Sequence, residues 1–129
     1  MYRDGVVMID KLMIEVSGAS GGAGVATANA ESGRAVEGEI VAVHVEYVGS
    51  PPSTTDVVIE TVQSPAMPIL TLTNANSDGW FYPVASVVDQ DGAAVTDGYV
   101  PIVVNDAVKV TVSGANNDDG ATVTIVWRG

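Results

Sequence analysis

The chain has 129 residues, and its 16 acidic and 5 basic side chains give a formal net charge of -11. This length suits one domain, because two domains of half the size would each bury too little surface. The charge argues against a nucleic-acid partner, since approach to a phosphate backbone would add repulsion without releasing counterions.

Cysteine is absent from the sequence, which excludes a disulfide framework and a thiolate metal site. The first residues lack the basic region and apolar run of a signal peptide. No apolar run approaches the roughly 20 residues that cross a membrane as a helix. We therefore expect no membrane partner and no export by the usual route.

Residues 6–16 alternate with the two-residue period of a β-strand and are rich in Val and Ile. The better core face of this predicted strand carries Val6, Met8, Asp10, Leu12, Ile14 and Val16. The Gly/Ala-rich segment 17–30 follows, and neither P-loop nor Rossmann spacing fits its glycines. We interpret it as a loop or arm that leads into a weak edge strand.

Residues 35–48 predict one of the clearest strands, with an apolar stripe of Val41, Val43, Val45 and Tyr47. His44, the single histidine, falls on the opposite face. A catalytic base would need a nucleophile and an orienting acid nearby, and no serine lies in a Gly-x-Ser-x-Gly pattern. We favour a surface or interface histidine.

After a strand over residues 56–63, the stretch 69–83 opens as another strand, with Leu70 and Leu72 on one face. It breaks at a turn rich in Asn, Ser, Asp and Gly, and resumes with three of the chain's seven aromatic side chains. These are Trp80, Phe81 and Tyr82. We expect the rest of the chain to be organised around this stretch, with the aromatics anchoring a core or an interface.

Residues 84–88 are ambiguous, and two Asp-Gly turn signals follow them. Asp89 and Asp91 resemble the start of a calcium loop, but the later acidic ligands of an EF-hand are missing. Ordinary turns are the interpretation we prefer, so no metal or other cofactor is expected.

The last 30 residues give the strongest strand signal. Their apolar positions alternate with polar ones at Val108, Val110 and Val112, and again at Val123, Ile125 and Trp127. The turn-rich segment 114–120 separates the two runs, so the pattern predicts a β-hairpin with one apolar face, whose second strand holds the end of the chain in a sheet.

About seven or eight strands separated by turns predict an all-β fold, with no segment of helical periodicity. We expect a single-domain antiparallel β-sandwich or jelly roll over residues 1–129.

Four segments carry a resemblance to known proteins. They are Val-Ala-Val-His-Val-Glu-Tyr (41–47), Thr-Thr-Asp-Val (54–57), the stretch 69–83, and Val-Lys-Val-Thr-Val (108–112) before the last strand. In composition and strand order the chain resembles small structural proteins encoded in tailed-bacteriophage and prophage genomes. The resemblance spans roughly residues 37–127 and leaves the Gly/Ala-rich segment outside.

This resemblance implies a non-enzymatic virion component, such as a head decoration (cement) protein or a capsid, neck or tail accessory protein. It implies no catalytic residues and no cofactor. The expected partners are the major capsid protein or other virion proteins, and further copies of the chain, with a trimer favoured. The expected location is the capsid surface, after synthesis in the host cytoplasm.

The candidate interface residues are Trp80, Phe81, Tyr82, Tyr99 and Tyr2, and we expect the first four to be divided between the core and a subunit contact. The alternative is a carbohydrate- or receptor-binding β-sandwich, in which Trp80 stacks on a sugar beside Asp78 and Asn76. Exposure of Trp80 discriminates between the two, since a flat, solvent-facing ring favours a sugar. A hydrolase comes third, because no acid–base constellation is recognisable.

Overall fold

A computed structural model describes the backbone of residues 2–3 and 6–129 and the side chains of residues 8–129. This part of the chain contains strands and no helix, as the sequence predicts. The strands are β1 (Tyr2–Arg3), β2 (Val6–Val7), β3 (Ile9–Val16), β4 (Ala26–Glu31), β5 (Val36–Val48), β6 (Asp56–Thr61), β7 (Pro68–Leu72), β8 (Gly79–Phe81), β9 (Val84–Val88), β10 (Ala94–Pro101), β11 (Val103–Asp106), β12 (Val108–Ala115) and β13 (Gly120–Arg128).

Two antiparallel sheets contribute to one core. The five-stranded sheet has the order β11-β5-β13-β3, and β8 pairs with the same edge of β5 as β11. The four-stranded sheet has the order β4-β12-β6-β7. Two further pairs, β1–β2 and β9–β10, form separate two-stranded sheets.

The core is aliphatic and draws on the inward faces of both sheets. Its largest fully buried side chains are Ile59, Ile125, Val16, Val36, Val43, Val45, Val57, Val104, Val108, Val110, Val112 and Val123. β-Branched side chains suit this position, because they pack well on a pleated surface and lose little rotamer freedom there. Trp127, only 4% exposed, adds an aromatic ring at one end of the core.

The predicted hairpin of the last two strands is wrong in its pairing. β12 pairs with β4 and β6, whereas β13 pairs with β3 and β5. The apolar faces of both strands are buried as predicted. They meet across the core instead of side by side, because alternation identifies the buried face of a strand but not the neighbour that shares its hydrogen bonds.

The predicted apolar stripe of β5 is interrupted by a bulge. Val126 pairs with Ala42 but Trp127 pairs with Ile40, so Val41 is the extra residue on β5. The buried face therefore passes through Ile40 and Val43, while Val41 is only partly buried. An inserted residue of this kind shifts the alternation by one position.

The Gly/Ala-rich segment 17–30 folds against its own chain. Ala19 and Ala26 are fully buried, and the Ala19 N–H donates to the carbonyl oxygen of Asp119 at 3.0 Å. β4 then forms an edge of the four-stranded sheet, as predicted.

Residues 69–83 lie at the periphery, which corrects the expectation that the chain is organised around them. β7 is the edge strand of one sheet, and the short β8 pairs only with β5 of the other. The interior strands are β5 and β13 of one sheet and β6 and β12 of the other. Their Val and Ile side chains fill most of the core, with Trp127 of β13 buried among them.

The described residues form thirteen strand segments, more than the seven or eight predicted. The additional segments are the short pair β1–β2, the three-residue β8 and the ribbon β9–β10. Most of these segments lie between turn signals, so the sequence does not separate them from loops.

Candidate binding surfaces

One outward row of side chains crosses four strands of the five-stranded sheet. Register places Met13 beside Thr124, Thr124 beside His44, and His44 beside Trp80. Adjacent strands lie about 4.8 Å apart, so the row is about 14 Å long. Met13 is 67% exposed and Trp80 is 53% exposed. We call the outer side of this sheet the Trp80 face.

His44 and Trp80 form the aromatic end of this row. Their ring centroids are 4.8 Å apart and their planes are tilted by 53°. This geometry lies in the range of favourable aromatic contacts. The indole is thereby held against β5 with much of its surface open to solvent, which is the exposure that the carbohydrate alternative requires.

The two polar residues considered with Trp80 are bonded to their own chain. The Asp78 carboxylate accepts the Tyr47 N–H at 2.8 Å, and the Asn76 amide donates to the Pro51 carbonyl at 3.0 Å. These bonds fix the turn before β8 and thus the position of Trp80. No local pattern in the sequence indicates this anchoring role, because the bonded residues are distant along the chain.

Basic residues gather at the β3 side of the Trp80 face. Lys11 is exposed on β3 beside Val126, and Arg128 lies beside Ile9 and Glu39. Arg128 Nε is 3.4 Å from a Glu39 carboxylate oxygen. Within the part of the chain that the structure describes, no carboxylate oxygen lies within 4.0 Å of the Lys11 ammonium nitrogen, and from Lys11 the Asp10 carboxylate accepts only the backbone N–H, at 2.8 Å.

A small cleft at the same end is about 140 Å³ in volume and is lined by Met8, Asp10, Arg34, Ala35, Glu37, Trp127 and Gly129. The Arg34 guanidinium binds both oxygens of Asp10, at 2.9 and 3.0 Å, and lies 5.0 Å from the Trp127 ring centroid. This bidentate pair lowers the pKa of Asp10 below its ordinary value. The arrangement is a paired charge on an aromatic ring.

The ribbon β9–β10 leaves an entire apolar face in solvent. Val84, Ser86 and Val88 alternate onto this face, and register adds Pro101, Tyr99 and Ala94 opposite them. Tyr99 is 61% exposed, and Val84 and Val88 are 53% and 56% exposed. The other side of the ribbon is turned towards the molecule, where Ala85 packs against the core. We call the exposed side the ribbon face.

Hydrogen bonds to the Asp89 side chain hold the turn of the ribbon. One Asp89 carboxylate oxygen accepts the backbone N–H groups of Asp91, at 2.9 Å, and Ala93, at 3.0 Å. Gly92 follows with a φ of 81°, which a glycine adopts without strain. Asp89 therefore stabilises the turn as a side-chain acceptor.

The outer side of the four-stranded sheet has a different character. Its outward positions on β12 and β6 are Lys109, Thr111, Ser113, Asp56, Val58 and Glu60. A mixed polar surface of this kind is ordinary for a solvated sheet. The two sheets thus differ, and exposed aromatic and Met side chains are concentrated on the five-stranded one and its ribbon.

The side chains of the candidate interface residues point in different directions. Phe81 points inward and packs against the core, whereas Trp80, Tyr82 and Tyr99 are exposed. The Tyr2 side chain lies outside the described residues. Met13 is not among the candidate interface residues predicted from the sequence, although strand alternation places it opposite the predicted core face.

Residues 8–129 contain no group of three His, Asp or Glu side chains arranged to hold a metal ion. In the same part of the chain no helix is long and apolar enough to cross a membrane.

Comparison of the chain with protein-family models, with curated proteins and with solved structures finds no match.

Proposed function

We propose that this chain is a non-enzymatic structural protein of a tailed-phage virion. In this proposal it decorates the outside of the head and stabilises it through contacts with the shell and with further copies of itself. The observation that carries the proposal is the ribbon face, an exposed apolar surface on a strand pair that has little support of its own.

The ribbon has less packing than a stable strand pair needs. An isolated two-stranded hairpin is at best marginally stable in water. Here β9 and β10 pair only with each other, and Val84, Val88 and Tyr99 stay in solvent. Covering such side chains contributes about 1.5–3 kcal/mol each when burial is complete. A partner protein over this face would supply the packing that the ribbon lacks.

The strand order supports a jelly roll, the finer fold class of the proposal. Without the short β8, the two main sheets have four strands each, β11-β5-β13-β3 and β4-β12-β6-β7. Along much of the chain, successive strands alternate between these two sheets. This order is the one expected for a jelly roll with two Greek keys, an architecture used in viral capsids and in lectins. Architecture alone does not decide between those uses.

Charge agrees with a position on the outside of a capsid. A chain of net charge -11 is repelled by nucleic acid and resists non-specific association. Many equivalent sites on a shell would stabilise it by mass action. A closed cyclic assembly, with a trimer favoured, is the form of self-contact we propose.

This function can be tested on purified particles of a phage whose genome carries the gene for this chain. We expect mass spectrometry to detect the chain in particles, and electron microscopy to show density on the head that disappears when the gene is deleted. Tyr99→Thr should lower occupancy in the particles, while Val25→Thr, which changes an equally exposed apolar residue in the Gly/Ala-rich loop, should not. Particles that lack the chain would overturn the proposal.

A second function, carbohydrate or receptor binding, is favoured by one observation, the exposed indole of Trp80 packed against His44. Aromatic faces of this kind can stack on sugar rings. A glycan array with the isolated chain tests it, and hits should be lost in Trp80→Ala but kept in Tyr99→Thr. An array without reproducible hits would remove this candidate.

A further inference from the structure

We propose that the ribbon face of one copy binds the β3 side of the Trp80 face on the next copy. The receiving surface consists of Ile9, Lys11, Met13 and Val126. This inference rests on the proposed function, because it names the contact by which copies of the chain hold one another.

The two surfaces lie at opposite edges of the same sheet. β3 forms one edge of the five-stranded sheet, beyond β13. The ribbon follows β8 in the chain and returns into β11, and both of these strands pair with the far edge of β5. A copy therefore presents its ribbon on one side and its receiving surface on the other.

The apolar parts of the two surfaces match. Ile9 is 60% exposed and Met13 is 67% exposed, and both are outward on β3. The ribbon face offers Tyr99 and the valines described above. Met side chains adapt readily to the shape of a partner, and aromatic rings are favoured anchors in interfaces.

The charges match as well. Asp91 and Asp97 are exposed on the ribbon, near its tip and at its bulge. Lys11 stands between Ile9 and Met13 on the outward side of β3, without an ion-pair partner in the part of the chain that the structure describes. Glu15 is exposed beyond Met13 on the same side of β3, so the attraction for an acidic ribbon is centred on Lys11.

Contact between two different surfaces has a direction. It closes into a ring when the rotation between neighbours divides a full turn, and otherwise it continues as a filament. A decoration protein around a symmetry axis needs the closed form, which is consistent with the trimer that we favour.

Complementation between two single variants tests the direction. Met13→Thr weakens the receiving surface and leaves the ribbon face unchanged. Tyr99→Thr weakens the ribbon face and leaves the receiving surface unchanged. Thr favours strands, so both variants should retain the fold. Val58→Thr, on the outer side of the other sheet, and Val25→Thr are the matched controls.

Analytical ultracentrifugation should show a closed oligomer for the wild type and for both controls, and monomers for each of the two variants alone. An equimolar mixture of the variants should give a 1:1 dimer, because one intact contact remains. Lys11→Glu should weaken self-association about tenfold, and adding Asp91→Lys to the same chain should restore it.

Other outcomes overturn the inference. If Met13→Thr assembles like the wild type, the ribbon binds a second ribbon or another surface. If Tyr99→Thr assembles like the wild type, the ribbon is not the contact. If the wild type is monomeric in solution but present in particles, this contact is wrong and the proposed function remains. If the chain forms rings but is absent from particles, the proposed function is wrong and the contact between copies remains.

Discussion

Asp119 joins three loops at one end of the molecule. It is 4% exposed, and its carboxylate accepts the N–H groups of Ser50, at 3.1 Å, and Asn116, at 2.9 Å. An asparagine can replace only one of these acceptors, so Asp119→Asn should lower the free energy of unfolding by about 1–3 kcal/mol. Urea denaturation followed by tryptophan fluorescence measures this change.

Asp118→Asn is the matched control for this prediction. Asp118 is the preceding residue, is exposed, and has a φ of 69° that asparagine tolerates. We expect a change within about 0.5 kcal/mol. Equal effects of the two substitutions would show that the buried carboxylate does not hold the loops.

Tyr47 carries a buried hydroxyl without a hydrogen-bond partner among the described residues. Burial, and then the charges of Asp78 and Asp56, raise the pKa of Tyr47 above its ordinary value. A raised pKa favours folding below the ordinary tyrosine pKa of about 10, and this contribution is lost as the pH rises through the folded-state pKa.

Tyr47→Phe should therefore raise the free energy of unfolding at pH 7 by about 1 kcal/mol, because no unpaired hydroxyl is then buried. It should also reduce the loss of stability above about pH 10. Denaturation at pH 7 and in the alkaline range tests both effects, with Tyr82→Phe at an exposed ring as the control. A less stable Tyr47→Phe variant would indicate that the hydroxyl has a partner.

At the scale of residues, regular alternation predicts the buried side chains of Val108 to Val112. It fails at Met8, which lies on the predicted core face of residues 6–16 and is 43% exposed. It also fails at Val41, because the bulge depends on pairing with β13. The sequence also does not indicate the role of Asp119, because one of its hydrogen-bond partners, Ser50, is 69 residues away. The same alternation predicts that the Met13 side chain is exposed.

Among the elements, the ribbon β9–β10 should be less protected in the isolated monomer than the strands of the two larger sheets. It has no neighbouring strand and exposes one whole face, so local opening costs little. We expect its amides to exchange with deuterium faster than those of β5 and β13, and to slow on assembly. Hydrogen exchange with mass spectrometry measures both states at low and high protein concentration.

The comparison must include a reference element. β4 is also an edge strand, but it lies in a sheet and its Ala26 and Ala28 face the core. Its exchange should not change on assembly. Equal slowing of β4 and the ribbon would point to a general stabilisation instead of contact through the ribbon face.

Strand pairing is the part of the fold that the sequence did not specify. Segments 108–113 and 122–128 have the alternation of a hairpin, and a turn-rich segment lies between them. The chain instead crosses from one sheet to the other at Asn116–Asp119, where side-chain and backbone bonds tie the turn to residues 19 and 50. These partners are distant in sequence, so no local sequence pattern predicts that the chain passes from one sheet to the other here.

For the whole molecule, the net charge of -11 sets the salt dependence of self-association. Copies repel one another at long range, and the Debye length shrinks from about 30 Å at 0.01 M salt to about 8 Å at 0.15 M. Assembly should therefore tighten as NaCl rises through this range. Sedimentation equilibrium tests this, and weakening with salt would show that local ion pairs outweigh the overall repulsion.

The fold class was predictable from composition and alternation, whereas the binding surfaces were only partly so. Aromatic residues are conspicuous in the sequence, but their direction depends on register. Trp80 faces outward and Phe81 inward because β8 pairs with His44 and Val43, a contact between distant segments. The ribbon face likewise needs the pairing of β9 with β10 before its valines are seen to lie together.

The position of β13 between β3 and β5 has a kinetic consequence. Those two neighbours come from the beginning and the first third of the chain, so the five-stranded sheet cannot close until its most distant segments meet. Formation of the sheet requires large loop closures before any of its central hydrogen bonds form, which places refolding in the range of milliseconds to seconds. In a nascent chain that lacks β13, strands β3 and β5 would have no strand between them, so this sheet could form only after Gly120–Arg128 has been synthesised.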